Sequence, residues 1–174
     1  RLAVLASKEN DYLYQIGDDI RMLSEKWEDI FVKNLSRKNN IGAVGPWDTF
    51  HNDGRILTQS FVHVTHLQIF GDYYPKEIKN WHIDDWMSEI YQTKPLEFVK
   101  VKNSGGEPRY NVVNDLENYK RVFKKTLPIF EAYKKTLSLK TVFVKSPKEF
   151  HFVHDNKRFI CSNRLVKWDY IIED

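Results

Sequence analysis

The 174-residue chain has the length of one domain, or most of one. Its 41% hydrophobic and 14% aromatic content supplies a core, while 27 Lys and Arg against 24 Asp and Glu leave a net charge of only +3; no concentrated basic stripe marks a dedicated nucleic-acid binder. One cysteine, Cys161, excludes an internal disulfide, no Cys/His cluster has zinc spacing, and no apolar run spans a bilayer or forms a signal peptide.

The chain starts at Arg1, already inside an element, and residues 2–8 read as the end of a helix. That start reads as a segment of a longer protein, with any targeting signal upstream and the compartment left open. YLYQI at 12–16 is aromatic and β-branched, is bounded by charge and by Gly17, and predicts a short buried strand. Met22, Leu23, Trp27, Ile30, Phe31 and Leu35 recur at helical spacing and predict an amphipathic helix over about 21–37. NNIGAVGPWD at 39–48 reads as a turn, a short apolar strand and a Gly-Pro stop, with Trp47 either a rim aromatic or core. SFVHV at 60–64 reads as a strand, and HLQIF then begins a short helix ended by Gly71. Ile83, Trp86, Met87, Ile90 and Tyr91 form an apolar stripe that predicts a helix over 82–92. EFVKVK at 97–102 alternates like a half-exposed strand.

A long helical pattern follows. Asn114 is its expected N-cap, with Glu117 completing a capping box. Leu116, Tyr119, Val122, Phe123 and Leu127 are its expected inner face, and Pro128 is expected to kink or split it. Lys120, Arg121, Lys124, Lys125, Lys134 and Lys135 give it a basic, solvated face. From about 141 to 172, TVFVK, EFHFVH, RFICS and WDYII read as short strands, with Asp155-Asn156 as a turn. The alternation of strands and helices up to about residue 137 predicts an α/β layered fold, a mixed sheet flanked by helices over 1–137, with a β-rich extension over 138–174 packed on it.

Two acid pairs carry the chemistry. Gly17-Asp18-Asp19 follows the first strand, and ligands of open α/β sheets sit at the carboxyl ends of strands. Adjacent carboxylates there suit Mg²⁺ or Mn²⁺, which pairs one or two carboxylates with substrate phosphates. The competing reading is that Asp18 or Asp19 caps a helix starting near Ile20. Asp84 and Asp85 lie in the first turn of the 82–92 helix, flanked by Trp81 and Trp86. Acids in a first turn also answer the helix dipole. An aromatic beside a carboxylate equally suits a sugar, and such a carboxylate can take a proton from an attacking hydroxyl. His63 and His66, between apolar neighbours, read as hydrogen-bonded structural residues, and Cys161 as a small buried hydrophobe.

The order GDD, amphipathic helix, NNIGAVGPWD, ILTQSFVHVTHLQIFGDYYP and NWHIDDWMSEIY resembles the glycosyltransferases of the GT-A fold. It looks closest to a group of eukaryotic and viral glycosyltransferases that carry GDD, a phrase like FVHRTHLEIFG-YFP and a phrase like NWWSDDWI. The resemblance covers about 12–92, and RYNV at 109–112 extends it faintly. It implies a GT-A-like, Rossmann-like sheet, incomplete at the N-terminus, and a metal-dependent transfer of sugar from a nucleotide-sugar donor, a UDP-sugar first, to a carbohydrate or protein acceptor. By the resemblance Asp19 binds Mn²⁺ or Mg²⁺, with Asp18 and Gly17 at the donor and Asp18 able to reach the metal. Asp85, or Asp84, is the implied catalytic base, Trp81 and Asn80 line the sugar pocket, and Ser60–Val64 forms its floor. The first position of the family's DxD motif is here Gly17 rather than an acid. His151 and His154 are late candidates for a third metal ligand. Two other functions remain open at this level: a non-catalytic glycosyltransferase-like module for scaffolding or carbohydrate binding, and a phosphoryl or nucleotidyl transferase in which both acid pairs hold two metals.

Overall fold

Residues 2–50, 54–79, 81–104, 114–137, 142–146, 149–154 and 157–162 are described by the computed structural model. The elements run α1 (Leu2–Ala6), β1 (Tyr12–Gln15), β2 (Ile20–Met22), α2 (Trp27–Ser36), β3 (Ala43–Val44), β4 (Pro46–Asp48) and β5 (Ser60–His63). They continue with α3 (Thr65–Phe70), α4 (Ile83–Tyr91), β6 (Leu96–Asn103), α5 (Leu116–Leu137), β7 (Val142–Ser146), β8 (Glu149–His154) and β9 (Lys157–Ser162).

The fold is mixed α/β, with small sheets flanked by helices. The first sheet has the order β1-β5-β3 and both its pairings are antiparallel. The second has the order β2-β6-β4, with β2 antiparallel and β4 parallel to β6. In the C-terminal segment β7, β8 and β9 form an antiparallel meander, as its sequence texture predicts. The predicted Asp155-Asn156 turn and the WDYII strand lie outside the described residues.

Strand periodicity sorts the first sheet's side chains onto two faces. Leu13, Ala43 and Val62 join one core cluster with Ile69, Trp86, Met87, Ile90, Val122 and Phe130 of α3, α4 and α5. Tyr12, Tyr14, Val44 and Phe61 face the other way and pack with Trp27, Phe31 and Leu35 of α2. The sheet is therefore a middle layer with helices on both faces. Trp86 is fully buried and its Nε1 donates to Thr126 Oγ1 at 3.0 Å, joining α4 to α5. Trp86→Phe leaves a void and loses this bond, with an expected destabilisation of about 2–3 kcal/mol in denaturant unfolding.

Five expectations are corrected. The helix predicted from residue 21 starts at Trp27, because Ile20, Arg21 and Met22 pair with Asn103, Lys102 and Val101 of β6. Gly45-Pro46 does not stop the chain's pairing; Pro46 opens β4, the strand position where a missing N–H is tolerated. The α5 cap is Asp115, whose Oδ1 accepts the Asn118 N–H at 3.0 Å, leaving Asn114 for another partner. Pro128 does not split α5, which continues unbroken through it to Leu137. On α5, Leu116 is 45% exposed while Thr126 and Phe130 are buried, so the inner face begins one turn later than expected.

Trp47 is half-buried beneath two neighbours. Lys100 Nζ sits 4.9 Å from its ring centroid, and Gly54, in a left-handed conformation (φ 60°), lies against the indole.

Candidate functional site

The chain crosses from one sheet to the other at two glycines. Gly17 lies between β1 and β2, and Gly45 lies between β3 and β4. Asp18 and Asp19 occupy the first crossing and are solvent-exposed. Because Ile20 begins a strand, neither acid caps a helix, and that reading is overturned. The glycine has a local cause: a Cβ on Gly17 would stand 2.7 Å from Asp19 Oδ1, so the Asp19 side chain folds back over the bare Cα. The Asp19 carbonyl accepts the Ser104 N–H at 3.1 Å, which fixes the turn against the end of β6.

Both crossings are held by Leu57-Thr58-Gln59-Ser60, the segment entering β5. Gly17 N–H donates to Gln59 Oε1 at 2.9 Å, and the Gln59 carbonyl presses on Gly45 so closely that a Cβ there would sit 2.1 Å from its oxygen. The Leu57 N–H donates to Ser88 Oγ of α4 at 2.8 Å, and Thr58 Oγ1 donates to the buried Asp48 Oδ2 at 3.3 Å. The Ser60 hydroxyl lies 3.2 Å from that of Tyr73 and 3.0 Å from that of Tyr74. Tyr74 donates in turn to Gln15 Oε1 at 3.0 Å. Gly17, Gln59, Ser60, Tyr74 and Gln15 thus form a chain of polar contacts that returns through the backbone of residues 15–17 to the turn of the first acid pair.

The second acid pair approaches these contacts from α4. Asp84 is close enough to Tyr74 to help raise the phenol's pKa, after burial and Tyr73, so Tyr74 stays a proton donor at neutral pH. Burial, and then the neighbouring Asp85, push the Asp84 carboxyl up to about 7. No hydrogen bond or ion pair from the described residues reaches that carboxyl. Asp85 differs: its Oδ2 lies 3.0 Å from His82 Nδ1. The two neighbours of the pair also part company, since Trp81 is 51% exposed and Trp86 is core. Asn80 lies outside the described residues.

His63 and His66 have the structural roles expected of them. His63 Nδ1 accepts the Thr65 N–H at 3.1 Å and lies 2.6 Å from Thr65 Oγ1. His66 is buried, with Nδ1 2.7 Å from the Tyr91 hydroxyl and Nε2 2.9 Å from the Tyr73 carbonyl. The carbonyl fixes the tautomer: Nε2–H donates to it, and Nδ1 accepts from Tyr91. Burial lowers the His66 pKa to about 4 against the opposing pull of backbone carbonyls, so the ring is neutral. His151 and His154 lie on β8.

As a donor set for a cation, Asp18 and Asp19 offer hard carboxylate oxygens on an exposed turn, which fits Mg²⁺ or Mn²⁺ completed by water and phosphate. Among the described residues no group of three or more His, Cys, Asp or Glu side chains gathers at one point. No described helix is long and apolar enough to cross a membrane. No family model, curated protein or solved structure matches the chain.

Sequence reasoning singled out the acids but not the residues that organise them. Gln59, Tyr73 and Tyr74 lie inside the phrase ILTQSFVHVTHLQIFGDYYP without being assigned a role, and Gln15 lies in the first strand. His82 was visible only as a neighbour of the acids, and Asn114 only as a cap.

Proposed function

We propose that the chain carries the acid-pair region of a GT-A-type glycosyltransferase, transferring sugar from a nucleotide-sugar donor to an acceptor hydroxyl. The observation that carries the reading is the polar loop at the first pair, whose Tyr74 lies within electrostatic reach of Asp84 of the second. It anchors the Gly17-Asp18-Asp19 turn at one end, and an Asp84 carboxyl that titrates near neutrality stands at the other. A catalytic base works best with its pKa near the working pH, and a proton acceptor needs a free carboxylate. Among the described residues Asp84 meets both conditions, so the base role moves from Asp85, the first choice on sequence, to Asp84.

In this reading Asp18 and Asp19 hold the divalent cation, which when bound supplies positive charge to the donor diphosphate. The exposed Trp81 indole offers a flat face for a sugar ring beside the acids. The acceptor hydroxyl loses its proton to the Asp84 carboxylate as its oxygen attacks the anomeric carbon. The bond from that carbon to the diphosphate breaks, and its electron pair leaves with the phosphate oxygen. Asp84 must be ionised for this, so kcat/KM is expected to rise with pH through about 7. The two-metal alternative would need the acid pairs to converge on ions about 4 Å apart; a single cation on one exposed pair is the simpler fit to the donor set.

A thermal-shift panel of nucleotide sugars with and without Mn²⁺ tests the reading, with Asp19→Asn and Gly17→Ala beside the parent chain. One donor is expected to raise the melting temperature only with metal, and both variants are expected to lose that shift. Gly17→Ala is expected to leave the unliganded melting temperature nearly unchanged. Gly17 is outside the left-handed region and its added methyl meets side chains alone: the flexible Asp19 carboxylate, which is pushed off its position, and Ile20 Cγ1 at 3.3 Å, which gives by a few tenths of an ångström. A panel with no metal-dependent shift in the parent chain would reject the enzyme and favour a scaffolding or carbohydrate-binding module.

A further inference from the structure

One side chain ties the first turn of α4 to the start of α5. His82 stands just ahead of α4 in a left-handed conformation (φ 71°). Its Nδ1 lies 3.0 Å from Asp85 Oδ2 and its Nε2 lies 2.8 Å from Asn114 Oδ1. A carboxylate can only accept, so Nδ1–H donates to Asp85, while the Asn114 amide, which carries both a donor and an acceptor, meets Nε2. The ring also stacks on Tyr119 of α5, with centroids 5.1 Å apart and planes 29° apart. The His82 side chain is only 14% exposed. An imidazole with one bond could turn about its χ angles; one with two bonds and a stacked face has a single orientation. The Asp85 carboxylate inherits that orientation.

We infer that His82 is a positioning residue: it commits Asp85 to a bond that spans α4 and α5, and leaves Asp84 as the carboxyl that receives the acceptor's proton. The division of labour rests on the glycosyltransfer reading; the bond does not. A negative charge held beside Asp84 also helps keep that group's affinity for a proton high.

The first test is NMR of the chain with ¹⁵N-labelled histidine. A slowly exchanging Nδ1–H signal is expected from His82, lost in Asp85→Ala and exchanging faster in Asn114→Ala, which frees the other side of the ring. The second test is turnover with the donor that the thermal panel selects. His82→Gly keeps the left-handed backbone and removes the ring; it is expected to lower kcat by about tenfold or more with the donor KM unchanged. Asp85→Asn still offers an oxygen to Nδ1–H and is expected to keep far more activity than Asp85→Ala. A ring signal that is absent, or that survives Asp85→Ala, overturns the inference. So does an Asp85→Asn as inactive as Asp84→Asn. A ring signal that responds as expected, in a chain that turns over no donor, supports the bond and rejects glycosyl transfer.

Discussion

Asp84→Asn is expected to make the protein more stable and less active at once. In the unfolded chain this carboxyl ionises near its usual 3.8, whereas in the folded protein burial and Asp85 hold it up to about 7. Between those values the folded state binds the extra proton, so stability falls as pH rises through the window and the loss is complete above 7. Each pH unit of separation corresponds to about 1.4 kcal/mol. Allowing for the solvent that still reaches the side chain, asparagine is expected to add about 2 kcal/mol at pH 8. That raises the melting temperature by roughly 4–8 °C for a chain of this size. The gain is expected to shrink steadily towards pH 5, where the parent carboxyl is already neutral. If Asp84 is the base, the same substitution lowers kcat/KM by about 10²–10⁴. A destabilised Asp84→Asn at pH 8, or a gain that does not depend on pH, would contradict the burial argument. His66 acts with the opposite sign in an overlapping window: its lowered value of about 4 means stability is lost as pH falls below 6.5. The parent chain is thus expected to show a flatter acid profile than Asp84→Asn, in which the contribution of His66, and that of His63, also lowered by burial, is no longer offset.

Gly45→Ala is expected to break the fold where Gly17→Ala does not. The methyl on Gly45 would meet the Gln59 carbonyl oxygen at 2.1 Å and its carbon at 3.3 Å. Both are backbone atoms, so the strain cannot be relieved by turning a side chain. The Gly45 carbonyl also accepts the Leu96 N–H at 2.9 Å, at the start of the β4–β6 pairing. Separating Gly45 from Gln59 therefore disturbs both sheets and withdraws the Gln59 amide from Gly17. The expected loss is on the order of 3 kcal/mol or more, read from the denaturant midpoint. A loss below about 1 kcal/mol would show that the two backbones can part without harm to either sheet.

Local pattern was enough for most elements. Alternation and helical stripes located β5, α3, α4 and β6 closely, because each is defined by which of its own residues are buried. The misread elements are those whose state is set at a distance. Ile20–Met22 fits the helical spacing of Trp27, Ile30 and Leu35, yet its hydrogen bonds come from β6, some eighty residues away, and no local period records that partner. Pro46 read as a stop because local rules do not reveal a strand edge waiting for it. The α5 cap was misassigned by one residue, since Asn114 and Asp115 have equal chemical claim and the choice falls to His82. The same limit governs the site. Acid pairs are legible because adjacency is a sequence property. The Gln15–Tyr74 and His82–Asn114 contacts span 59 and 32 residues and carry no periodic trace.

The crossing at Gly17 also bears on the order in which the molecule can assemble. The strand before it pairs with β5 and the strand after it pairs with β6, so the turn joins a ladder that closes over a shorter stretch of chain to one that closes over a longer stretch. The shorter loop closes at lower entropic cost. The first sheet can therefore gather between its helices while Ile20–Met22 is still unpaired. Asp18 and Asp19 then take their final place only when β6 arrives, after α4 has already been laid down in the sequence. In a refolding experiment the amides of Leu23 and Ser104, which bond across to Lys100 and Asp19, would be among the last to gain protection from exchange, and any binding that depends on the turn would recover with that slow phase rather than with the burial of Trp86.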